Sequence, residues 1–160
     1  MSVLIGTSGW SYDHWVDVLY PRSASSLERL DAYAGHFRTV EVNNTFYRWP
    51  KDEVFSTWRE RSPGGFVFSA KASRGLTQFR KLNDPVPWLE RMEAGLSRPG
   101  GKRGGAPYQP PPPPPINPRP IAAFLPRLPS GGGGGREFPP PTLDVEGNFS
   151  RPEGHGAAHC

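Results

Sequence analysis

Proline and glycine are spread so unevenly along this chain that it reads as two materials joined near residue 98. Sixteen of the 21 prolines and 12 of the 19 glycines fall in residues 98–160, and all five tryptophans lie at or before Trp88. Proline has no N–H to give to a helix or sheet, and glycine loses the most backbone freedom on ordering. A packed core is therefore expected over 1–97. Residues 98–160 are expected to be a disordered or poorly packed continuation. The prolines at 110–115 suit polyproline II and exclude a central strand. Pro126 breaks a helical pattern over 119–128, and the glycines at 131–135 read as a flexible linker.

The first 97 residues alternate in pattern. Val3-Leu4-Ile5, closed by Gly6 and Gly9, reads as a buried strand. Residues 26–37 place Leu27, Leu30, Tyr33, Ala34 and Phe37 three and four apart, which predicts an amphipathic helix capped by Ser25 or Ser26. Residues 39–42 read as a second strand. Residues 52–61 form a second helix with Val54, Phe55 and Trp58 on one face. Residues 66–70 are a third strand, and 87–96 a third helix with Trp88, Leu89, Met92 and Leu96 inward. Strand–helix alternation implies parallel strands with right-handed crossovers. Apolar runs, rather than strict alternation, suit strands covered on both faces.

In parallel α/β folds, polar groups collect at the C-terminal ends of strands. Here those ends carry Thr7-Ser8-Gly9-Trp10-Ser11, the stretch EVNNTFY from Glu41 to Tyr47, and Ser69 to Arg74. Period two sends Glu41 and Asn43 to one side and Val42 to the other. A carboxylate, a cation (Lys71) and carboxamides thus converge on one small cavity. The motifs exclude much else. Thr7-Ser8-Gly9 is neither GxGxxG nor a P-loop. His14 and His36 lack ligand spacing, so no metal site is expected, and no Ser-His-Asp or Cys-His set can be assembled.

The formal charge of +4 fits a mildly basic surface, and no Lys/Arg stripe marks a nucleic-acid face. The one cysteine, Cys160, allows no disulfide framework. MSVLIGTSGW has no basic leader and only a three-residue apolar run, so a cytoplasmic protein with no membrane contact is expected.

IGTSGWSYDHW, Tyr20-Pro21, TVEVNNTFYRWP and FVFSAKASRGLT, in that order, resemble the YecE-like family of domains of unknown function (DUF72). The resemblance covers residues 4–82 most clearly. It implies a TIM-type (β/α) barrel, incomplete here, with about three sound βα units over 1–97 and two degraded ones over 98–160. It implies no reaction. APYQPPPPPP and GGREFPPPTLDVEG look like the family's fourth and fifth strands, with prolines where Leu, Arg, Phe or His is expected. Many of these changes are one base apart in GC-rich codons, so reading errors over 98–160 are expected, and resequencing that coding DNA tests this.

Glu41 and Lys71 are the candidate catalytic residues, and their bland alternative is a structural ion pair of Glu41 with Lys71 or Arg74. Ser8, Trp10, Asn43, Tyr47 and Arg74 are the candidate substrate-binding residues. Trp10 and Tyr47 serve equally as core or as pocket wall. Gln109 and Glu137 would join them if further strands form. Where the family pattern reads Thr-His, this chain has Thr77-Gln78, which replaces an acid–base group by a neutral amide. The residue types suit hydrolysis or lyase chemistry on a polar or phosphorylated substrate, with the cofactor unknown. The alternatives are a non-catalytic protein binding a phosphate ligand or nucleic acid, and a fragment without function.

Overall fold

The structure, a computed structural model, describes residues 3–109, positions 124 and 127, and the pairs Gly135–Arg136 and Ala158–His159. Three parallel strands, β1 (Gly6–Ser8), β2 (Thr39–Val42) and β3 (Val67–Ala70), lie in the order β1-β2-β3. Between and after them run α1 (Ser26–His36), the short α2 (Asn44–Tyr47), α3 (Asp52–Arg61) and α4 (Val86–Leu96). Gly135–Arg136 and Ala158–His159 form a separate two-residue parallel pair. Mixed α/β architecture with a parallel sheet is thus what the alternation dictated.

The first strand lies further along than the apolar run suggests. Pairing starts at Gly6, opposite Thr39, while Val3, Leu4 and Ile5 are exposed. A strand exists only where it has a partner, and β2 opens only at Thr39. Gly6 is required there because a Cβ would stand 2.1 Å from the Thr39 carbonyl oxygen.

α1 starts where the sequence says. The Ser25 side chain accepts from the Glu28 N–H, and the Glu28 carboxylate accepts from the Ser25 N–H at 2.7 Å, a reciprocal capping box. Leu30, Tyr33 and Ala34 face the sheet. Leu27 and Val54, expected inward, sit at the edges of their stripes and remain exposed. The strands alternate instead of being buried on both faces. Val40, Val42, Phe68 and Ala70 are buried, and Thr39, Glu41, Val67 and Ser69 are half-buried. The buried face packs on α1 and α3 in one aromatic-rich cluster: Trp10, Leu30, Tyr33, Phe55, Trp58, Phe66 and Phe68. Each such side chain contributes about 1.5–3 kcal/mol by leaving water.

The Tyr33 hydroxyl ties α1 to the sheet. It donates to the Thr39 carbonyl at 2.9 Å and accepts from the Thr7 N–H at 2.8 Å. A short 3-10 turn over Gly100–Lys102 leads from α4 to residues that flank β3. Arg103 lies opposite Phe68, Gly104 N–H donates to Phe68, and the Ala70 and Ala72 N–H groups donate to Gly105 and Pro107. A proline can accept in such a ladder though it cannot donate. Tyr108 and Phe124 then close a second cluster with Leu76, Leu89 and Met92. Apart from Phe124, Arg127 and Gly135, the expected proline helix, the 119–128 helix and the glycine linker lie outside the described residues, as does Glu137.

Candidate functional site

The C-terminal ends of the three strands bring three polar side chains into one line. Register sets this, because Ser8 pairs with Glu41 and Glu41 pairs with Ser69, all on the face opposite the aromatic cluster. The Ser8 hydroxyl donates to Glu41 Oε1 at 2.7 Å. Lys71 Nζ stands 3.9 Å from the same oxygen. Glu41 and Lys71 side chains are 20% and 17% exposed, open enough to meet a ligand and closed enough for their charges to matter. Glu41 therefore pairs with Lys71, not with Arg74.

The backbone around them is fixed locally. Gly9, at φ 87°, turns the chain after β1 so that its N–H donates to the Glu41 carbonyl at 2.7 Å. Buried Thr45 places its hydroxyl 2.6 Å from the Val42 carbonyl and 2.8 Å from the Lys71 carbonyl, which locks the ends of β2 and β3 together. Thr45 gave no sequence signal of its own, since a threonine in a turn is ordinary.

The other sequence candidates divide. Trp10 belongs to the core, edge-on to Trp58 at 5.4 Å, and its buried indole N–H has no partner among the described residues. Tyr47, by contrast, is exposed. Asn43 is half-buried at the start of α2 and makes no side-chain cap bond there. Arg74 stands apart from Glu41, its guanidinium 5.6 Å from the Tyr47 ring centre and 5.7 Å from that of Phe79. Gln78, in the place of the family's histidine, donates its amide to the Gln109 carbonyl at 2.9 Å. That bond ties residue 109 to the turn that follows β3.

Phe46 and Phe79 were missed in the sequence. Lys71 Nζ lies 5.6 Å over the Phe46 ring, and Phe46 meets Tyr47 edge-on at 5.1 Å. Phe79 ends a π-turn over Gly75–Phe79, closed by Arg80 N–H to the Gly75 carbonyl. A Cβ on Gly75 would stand 2.1 Å from the Trp88 ring, so only glycine lets this turn pack on α4. Lys81, Leu82 and Asp84 follow with positive φ, held there by buried Leu82.

The fold and this line of groups define a parallel α/β protein with polar side chains gathered at its strand ends. The chain belongs to the DUF72 family, described as "Protein of unknown function DUF72", which it matches over residues 4–143. It is 33% identical over 90 residues to the UPF0759 protein YunF of Bacillus subtilis, covering 56% of this chain and 31% of that protein. It is 38% identical over 69 residues to YecE of Escherichia coli, covering 43% of this chain and 23% of that protein. The matched stretch thus spans about a third or less of these relatives' length. The fold is similar to that of a DUF72 family protein from Thermotoga maritima, with TM-score 0.79 at 23% identity over 98% of this chain and 63% of that one. A DUF72 family protein from Enterococcus faecalis aligns with TM-score 0.59 at 18% identity, over 81% of this chain and 57% of that one. Among the described residues no helix is long and apolar enough to cross a membrane.

Proposed function

We propose that this chain is part of a TIM-type (β/α) barrel whose strand ends bind a small polar or phosphorylated ligand in the cytoplasm. In this reading residues 1–97 carry the secure βα units and 98–160 their Pro/Gly-rich continuation. The contiguous Ser8–Glu41–Lys71 line at the ends of three neighbouring strands supports it. Glu41 acts as the proton acceptor, oriented by the Ser8 hydroxyl. Lys71 supplies positive charge to an anionic group or a developing oxyanion. That pairing suits hydrolysis or elimination.

Release of leaving group from a panel of phosphate esters tests this. Glu41→Gln should lower turnover by about 10²-fold or more while ligand binding persists. Turnover equal to wild type would remove Glu41 from the chemistry. A second reading, binding without turnover, draws on one observation: Glu41 Oε1 already receives both Ser8 and Lys71. It predicts that no ester is consumed and that Lys71→Met weakens ligand binding. A steep fall of affinity with salt would then mark a nucleic-acid backbone. A third reading, that the chain has no function because it cannot complete its fold, is tested by thermal unfolding. A cooperative transition with native near-UV circular dichroism would overturn it.

A further inference from the structure

We infer that Tyr47, Arg74 and Phe79 form a clamp beside the strand-end site that takes a planar ring joined to a phosphate, a ligand of nucleotide type. The inference rests on reading the strand ends as a ligand site and adds the chemical class of the ligand. Three observations carry it. First, Tyr47 and Phe79 are 64% and 73% exposed, two large rings on the surface flanking one guanidinium. A lone exposed aromatic is ordinary, but two exposed rings held against one guanidinium offer their remaining free surface for stacking directly beside a cation. Second, Arg74 is exposed and has no hydrogen bond or ion pair among the described residues, so its N–H fork is available to a phosphate. Third, an unbroken series of contacts joins the clamp to the carboxylate: Glu41 to Lys71, Lys71 to Phe46, Phe46 to Tyr47, Tyr47 to Arg74, and Arg74 to Phe79.

Local backbone explains the geometry. The π-turn starts directly after Arg74 and ends at Phe79. Its wider winding returns the chain to the same side after five residues, whereas an α-helix returns after three or four. Leu76 and Thr77 point inward as fully buried anchors, which leaves Phe79 facing out beside Arg74.

Titration calorimetry of the full chain with adenosine 5′-monophosphate, ribose 5-phosphate, inorganic phosphate and a six-residue oligothymidylate tests the inference. The nucleotide should bind about tenfold tighter than ribose 5-phosphate. Tyr47→Ala and Phe79→Ala should each weaken it about fivefold or more. Tyr47→Phe, which keeps the ring, should retain binding, and Arg74→Gln should weaken nucleotide and ribose 5-phosphate alike. Thermal melts of the variants should match wild type, since both rings are exposed. Tighter oligonucleotide binding with a steep salt dependence would mark a single strand as the source of the ligand chemistry, and equal binding would mark free nucleotide. Either result supports the clamp. Equal affinity for nucleotide and ribose 5-phosphate, or alanine variants that bind like wild type, would overturn it and leave Glu41 and Lys71 to the ester test. Binding of none of the four probes would also overturn it.

Discussion

Lys71 stands 3.9 Å from Glu41 across the β2–β3 pair, with its ammonium also 5.6 Å over the Phe46 ring. One cation thus faces a carboxylate on one side and an aromatic on the other, at the open end of a parallel sheet. Both charged side chains are largely buried, but at 3.9 Å they share no hydrogen bond, so the pairing is loose enough to exchange partners.

Glu41→Gln should therefore cost only about 1–2 kcal/mol of folding stability. The amide can still accept from Ser8. Urea unfolding checks this. A loss of several kcal/mol would show a structural pair instead of a site held in reserve.

Thr45→Val should behave differently. The isosteric change removes the buried hydroxyl from the Val42 and Lys71 carbonyls and should destabilise by about 1–3 kcal/mol. Because Thr45 positions the Lys71 backbone, phosphate-ligand affinity should fall with it. Urea unfolding and calorimetry on the same variant read both effects. Unchanged stability would mean that the two carbonyls are satisfied without the hydroxyl, as the Val42 carbonyl already is by the Lys71 N–H.

Acid should weaken the start of α1. Hydrogen bonds from the Ser25 side chain and backbone hold the Glu28 carboxyl below the ordinary glutamate range. A carboxylate whose pKa is lower folded than unfolded adds stability above its unfolded value of about 4.3, and this is lost as pH falls through the folded value. Glu28→Gln should flatten that acid limb of the stability–pH curve. Ser25→Ala should cost about 1 kcal/mol at neutral pH. Parallel acid limbs for wild type and Glu28→Gln would show that the capping box is not formed.

Gly104→Ala should separate residues 103–109 from β3. A Cβ there would stand 2.7 Å from both Ser69 Oγ and a Val67 methyl and 2.9 Å from the Phe68 carbonyl oxygen. Overpacking of this kind costs about 1–3 kcal/mol. Hydrogen exchange at the Ala70 and Ala72 amides, which donate to Gly105 and Pro107, should speed up. Unchanged protection would show that those amides have other partners.

The sequence by itself determined the frame. β2 and α3 run over the residues that their patterns mark, because each has strong local signals: β-branched Thr39, Val40 and Val42, and apolar spacing over Asp52–Arg61. Parallel pairing followed from the alternation. The strand ends named Ser8, Glu41 and Lys71 as neighbours, and Glu41 does meet both of the others. Tertiary structure decided what depends on partners distant in the chain. β1 starts at Gly6 because Thr39 is there to receive it. Trp10 went to the core because Trp58 offered an edge-on contact. Residues 103–109, with two glycines and a proline, are loose material by composition, although the stretch from Ala106 resembles a fourth strand, and they line β3 by accepting its N–H groups. Composition reports a residue's average preference, whereas a free carbonyl beside an unpaired N–H is a specific demand that only the assembled sheet creates.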